Sequence, residues 1–152
     1  MEKVKEMIAL FVLAISAYTD IKERQIYLMP LFIAGISSLA ISLILFMTNP
    51  LDDSVKGLFS SVIFPFLFGA FVIYIAILLR KSVGIGDAYL IAVLSLSVGV
   101  SCNVRILCTS SLLAGVVCFC LMMTDRAKKW KTIPFAPFIL AGFICVLFVK
   151  NL

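Results

Sequence analysis

Six uncharged apolar stretches, at about residues 7–19, 31–48, 57–79, 88–104, 106–124 and 132–149, take up most of a 152-residue chain. Runs of this length favour helices, because lipid offers no partners to an unpaired backbone N–H or C=O. A membrane barrel would instead show ~10-residue segments alternating apolar and polar side chains, a pattern the sequence lacks. The expectation is an all-α polytopic membrane protein: one domain over 1–152, a bundle of six transmembrane helices. Composition agrees, with 63% apolar and 14% charged residues against ~45–50% and ~25% in soluble domains. Six spans of ~20 residues leave no room for a soluble catalytic domain, so any chemistry is expected in or at the edge of the membrane. The chain has no His, which removes Ser-His-Asp schemes and His-ligated metals together.

The breaks between runs are charged or turn-prone: Asp20–Arg24, Asn49–Ser54, Arg80–Gly84, Ser101–Arg105 and Asp125–Lys131. The first, third and fifth connections carry Lys22, Arg24, Arg80, Lys81, Arg126, Lys128, Lys129 and Lys131. The termini and even connections carry only Lys3, Lys5, Lys56, Arg105 and Lys150. Lys and Arg gather in cytoplasmic loops, so eight against five puts the odd connections inside and both termini outside. The net charge of +5 is then orientation, and no nucleic-acid partner is expected; the partner is the bilayer. A competing reading takes residues 7–17 as a signal-peptide core with a small-residue site at Ile15-Ser16-Ala17. The flank Glu2-Lys3-Val4-Lys5-Glu6 is balanced in charge, and that reading would put Lys22 and Arg24 outside.

The cysteines, at 102, 108, 118, 120 and 145, contain no Cys-x-x-Cys pair and are odd in number. They read as small buried packing residues, and no metal or cofactor is expected. The 13 Phe read as lipid-facing or packing residues.

Of eight acids, Glu2, Glu6, Glu23, Asp52, Asp53 and Asp125 fall in tails, loops or among basic neighbours. Asp20 and Asp87 are different. Asp20 follows the first apolar run, where the helix dipole disfavours a carboxylate. Asp87 follows Gly84-Ile85-Gly86 and opens the fourth helix, where an acid is favoured and a capping role is the bland reading. With helix 1 running inward and helix 4 outward, both lie at one depth near the cytoplasmic face. Two acids there are costly unless they face water or each other. Close carboxylates share a proton, so one form takes a proton from water while the other gives one to a substrate carbonyl oxygen. That division serves peptide hydrolysis without a covalent intermediate. Gly84 and Gly86, lacking side chains, are expected to let an extended substrate backbone approach Asp87.

Asp20-Ile-Lys-Glu-Arg24-Gln-Ile26 after a first span resembles the first-aspartate segment of the type IV prepilin and preflagellin peptidases. Gly84-Ile-Gly-Asp87 resembles their second-aspartate motif, shared more distantly with presenilin-like intramembrane aspartyl proteases. Ile133-Pro134-Phe135-Ala-Pro137-Phe138 resembles the Pro-Phe-x-Pro-Phe segment that opens the family's last helix; on its own it reads as prolines tolerated in a first helical turn. The three segments stand in family order across nearly the whole chain. Two departures are visible. Ile26 is followed by Tyr27 and Leu28 where the family often has Pro-Asn, and Ala88 and Tyr89 stand where a Lys commonly follows the second Asp. Neither the methyltransferase region nor the paired Cys-x-x-Cys loop of longer members is present, so the likeness is to short, peptidase-only forms.

The resemblance implies an aspartyl endopeptidase with Asp20 and Asp87 as catalytic pair and Gly84 and Gly86 in the active-site loop. Its substrates would be prepilin-like proteins, including Flp/Tad and archaellin types, cut at the cytoplasmic face to release a short basic leader. An alternative is a small proton- or cation-coupled transporter using the same two aspartates, though transporters place such acids at the midplane in paired repeats. A third is an assembly subunit in which both acids merely cap helices.

Overall fold

The computed structural model describes residues 2–23, 26–48, 59–79, 84–123 and 134–150. Among them are six α-helices and no strand: α1 Glu2–Glu23, α2 Leu28–Thr48, α3 Phe64–Leu78, α4 Ile85–Val98, α5 Val100–Met123 and α6 Ala136–Lys150. A π-helical turn, Phe59–Ile63, leads into α3. Pro65 accounts for it, because proline has no N–H to give the carbonyl one turn back and a wider turn absorbs the gap. Of the basic residues expected in the odd connections, only Lys22 falls among the described residues; Asp52, Asp53, Asp125 and Ile133 fall outside them.

The helix count is as expected, but two details differ. Among the described residues, only α5 is long and apolar enough by itself to cross a membrane, while Leu28–Ile44, α3, α4 and α6 are shorter apolar helices. At 1.5 Å per residue, the 14 residues of α4 reach ~21 Å, against a hydrocarbon core of ~30 Å. The fourth break also lies earlier than Ser101–Arg105. The chain turns at Gly99, with φ +81° and ψ 159°, a backbone conformation that favours glycine, and residues 101–105 belong to α5. Asn103, read as a loop residue, is fully buried. Its Nδ2 donates to the Ile91 carbonyl of α4 at 3.0 Å, so it ties the two helices together instead of separating them.

α4 is the central element and packs against α1, α2, α3 and α5, while α6 packs on α1 and α5. Leu13, Leu31, Leu90, Ile106, Ile139 and Phe143 form the apolar centre. Small and polar residues fill most of the remaining interior: Ser16, Ser38, Ser42, Ser95, Ser97, Asn103 and Ser110 are all buried. Ser38 and Ser97 join α2 to α4 at 2.8 Å, and Ser95 Oγ donates to the Pro65 carbonyl at 3.0 Å. A Cβ on Gly69 would lie 3.2 Å from the Ala92 Cα, and one on Gly142 only 2.3 Å from Ser110 Oγ; these are the closest helix approaches. The outside is lined by large apolar side chains, among them Met7, Phe32, Phe71, Leu112, Phe119 and Phe148. Cys108, Cys120 and Cys145 share that outer surface, contrary to the expectation of buried packing cysteines; serine and glycine already take the close interhelical places.

α1 and α6 run antiparallel and meet at both ends. Asp20 of α1 accepts a hydrogen bond from the first residue of α6, and Glu6 pairs with Lys150 at 2.6 Å. Fourteen residues separate Glu6 from Asp20, and fourteen separate Ala136 from Lys150, so the two helices stay in step along their length.

Candidate active site

Asp20 lies one turn before the C-terminal end of α1 and is 8% exposed. The dipole of its own helix opposes a carboxylate there by ~0.3–1 kcal/mol. What compensates is the start of α6, a hundred residues later in sequence. Pro137 lacks an N–H, and the N–H groups of Phe138 and Ile139 both return to the Phe135 carbonyl, at 3.0 and 3.2 Å. The Ala136 N–H therefore needs an acceptor from outside the helix, and it donates to Asp20 Oδ2 at 3.1 Å. A carboxylate at a helix N-terminus gains both a charge-assisted bond and the favourable dipole end.

Asp87 is the third residue of α4 and half-buried. Gly84 precedes the helix in extended backbone, φ −66° and ψ 123°, and its carbonyl accepts the N–H groups of Asp87 and Ala88 at 3.1 and 3.3 Å. The Asp87 carboxylate folds back over Gly84, where an added Cβ would sit 3.0 Å from Oδ2. It accepts no side-chain hydrogen bond from another described residue. Asp20 and Asp87 are close enough that the charge of one acts on the other. The two expected acids are thus brought together beside the N-termini of α4 and α6, whose dipoles lower the cost of holding two carboxylates at one place.

Both glycines also lie close to other parts of the chain. A Cβ on Gly86 would lie 3.0 Å from the Ile26 Cβ and 3.3 Å from its Cδ1. In the direction of an added Cβ, Gly86 faces the chain's own Ile26 and Gly84 faces the Asp87 carboxylate. Their bare Cα atoms let the second-aspartate loop seat against the segment that follows the first aspartate. Tyr27 donates its hydroxyl to Glu23, joining the end of α1 to the start of α2; the Glu23 carboxylate pushes that exposed phenol above its ordinary value through the hydrogen bond and its charge.

One contributor escaped the sequence reading: the Ala136 N–H, signalled only by the prolines on either side that strip the first turn of donors. Ser16 also stands out. It lies four residues before Asp20, on the same face of α1, and its buried Oγ has no hydrogen-bond partner among the described residues.

Comparison of the chain with protein-family profiles, with curated proteins and with solved structures gives no match in any of the three. What fold and site together define is an all-α bundle of six helices carrying an aspartate pair at one end.

Proposed function

We propose that this chain is a multi-pass membrane aspartyl endopeptidase of the prepilin peptidase type, which removes the basic leader of prepilin-like precursors at the cytoplasmic face. The observation that carries the reading is the meeting of Asp20 and Asp87, 67 positions apart in sequence (87 less 20), within reach of each other's charge. The third resembling segment meets Asp20 as well, through the Ala136 N–H. In this reading one carboxylate, ionised, draws a proton from water as it attacks the scissile carbonyl. The other, protonated, hydrogen-bonds the carbonyl oxygen and then serves the departing amine.

The membrane setting draws support from the distribution of side chains. Small and hydroxyl-bearing residues line helix contacts and large apolar ones face out, as in helices that associate in lipid. The loop charges support a cytoplasmic setting for the aspartate end of the bundle, where a basic leader would meet acidic groups.

The test is co-expression of a prepilin-like precursor with the wild-type chain, Asp20→Asn or Asp87→Asn, following leader removal by gel shift. Wild type should process and both variants should not. Processing by either variant at the wild-type rate would sink the proposal. An uncut precursor with wild type, alongside proton or cation movement in vesicles, would transfer the aspartates to the transporter reading.

A further inference from the structure

The end of the bundle opposite the aspartates holds a cavity of about 750 Å3, set among the α4–α5 turn, the first turns of α5 and the last turn of α6. Its walls are of two kinds. Phe64, Val98, Val146 and Val149 form an apolar side, while Arg105 and Lys150 bring two cations to the rim. Lys150 shares its charge with Glu6 at 2.6 Å; Arg105 is exposed and has no ion-pair partner among the described residues. Arg105, Lys150 and Cys102 line the same cavity, and Glu6 is joined to it through its pair with Lys150.

The backbone adds to this. The first helical bond of α5 runs from the Asn103 N–H to the Gly99 carbonyl. The N–H groups of residues 100–102, ahead of that bond, are the unsatisfied donors of a long helix, and all three residues line the cavity. Among the described residues, two cations, one carboxylate and a helix N-terminus give a positive balance against an apolar wall. Neither a cation nor a purely apolar guest suits that combination.

We propose that this cavity binds a phosphate-bearing anion, its oxygens on Arg105, Lys150 and the start of α5, and any apolar portion against Val98, Val146 and Val149. The ligand chemistry is shared by an anionic phospholipid headgroup and by free phosphate; the site is independent of the proposed peptidase activity.

The test uses the purified full chain in neutral detergent, titrated with phosphatidylglycerol, phosphatidylcholine and inorganic phosphate, with binding followed by native mass spectrometry. Phosphatidylglycerol should bind about tenfold more tightly than phosphatidylcholine. Arg105→Gln should weaken it about tenfold, the loss expected for a hydrogen bond to a charged group. Glu6→Gln, which releases Lys150 from its carboxylate, should tighten binding about two- to fivefold, in keeping with an exposed ion pair. Lys22→Gln, which removes a cation at the opposite end, should change nothing. Inorganic phosphate that binds with the same dependence on Arg105 and displaces the lipid would make the free anion a ligand of the site, and failure to compete would make it a lipid site. Equal binding of the two lipids with no phosphate binding, or indifference to Arg105→Gln, or an equal loss in Lys22→Gln, would overturn the proposal. Circular dichroism on each variant separates lost binding from lost fold, and Glu6→Gln decides in the direction of gain, which misfolding does not mimic.

Discussion

Asp20 does two things at once in this structure, and substitutions can pull them apart. Its Oδ2 accepts the Ala136 N–H at 3.1 Å in a buried setting, and its charge acts on Asp87. Asp20→Ala removes the acceptor and strands a helix N-terminal donor. A buried donor left unpaired costs ~1–3 kcal/mol, and the relief of a carboxylate at a helix C-terminus returns ~0.3–1 kcal/mol, so the net loss is about 1–2 kcal/mol. Asp20→Asn keeps a carbonyl oxygen in the same place and loses only the charge, so its stability should fall within ~1 kcal/mol of wild type. Asp87 has no side-chain hydrogen bond to another described residue, and Asp87→Asn removes a like charge from its neighbour. It should match or slightly exceed wild type. The assay is thermal or denaturant unfolding in a single detergent, with the order Asp20→Ala below Asp20→Asn, and Asp87→Asn at or above wild type. If Asp20→Ala unfolds together with Asp20→Asn, the α1–α6 hydrogen bond does not contribute and the account of why Asp20 tolerates its helix end is wrong. Leader cleavage by the same set completes the separation: both Asn variants should be inactive while folded.

Other outcomes follow from the same geometry. Gly142→Ala drives a Cβ to 2.3 Å from Ser110 Oγ and 3.0 Å from the Ile106 carbonyl oxygen; it should destabilise by about 1–3 kcal/mol as an overpacked contact, whereas Gly115→Ala, with nothing within 4 Å, should stabilise by about 0.5–1 kcal/mol, both read from unfolding midpoints. Cleavage rate against pH should be bell-shaped: it falls on the acid side as the ionised member of the pair is protonated, and on the alkaline side as the shared proton is lost. A flat profile would speak against a dyad. In a cysteine-free background, a cysteine replacing Lys22 should react with an impermeant maleimide only after the cells are opened, and one replacing Glu6 should react in intact cells; the reverse pattern would invert the proposed orientation.

The sequence carried the six helices because long uncharged runs have few other ways to satisfy their backbone. It also carried the choice of Asp20 and Asp87, since so few acids remained once tails and basic loops had claimed theirs. The α4–α5 boundary was hidden for a physical reason. Gly99 sits between valines inside an apolar run and looks innocuous, while Asn103 and Arg105 carry turn-like chemistry yet are used, respectively, as an interhelical tie and as an exposed rim residue. The roles of Gly84 and Gly86 were hidden because a missing side chain says only that something comes close. That the close neighbours are Asp87 itself and Ile26 depends on how two loops seat together, which no local pattern encodes. Asp20's unfavourable position was legible; the remedy, an N–H belonging to residue 136, was not.

The clasp between the first and last helices also bears on the order in which the molecule can be made. A ribosome delivers Asp20 and then more than a hundred further residues before Ala136 exists to receive its hydrogen bond. Until then the aspartate has neither its donor nor the α6 dipole, and Glu6 likewise waits for Lys150. A nascent chain therefore carries Asp20, and from residue 87 onward both acids, in an unfinished setting until α6 has been made. The setting of Asp20 is completed only when α6 has been made, so under the proposed reading hydrolytic competence would wait for that helix.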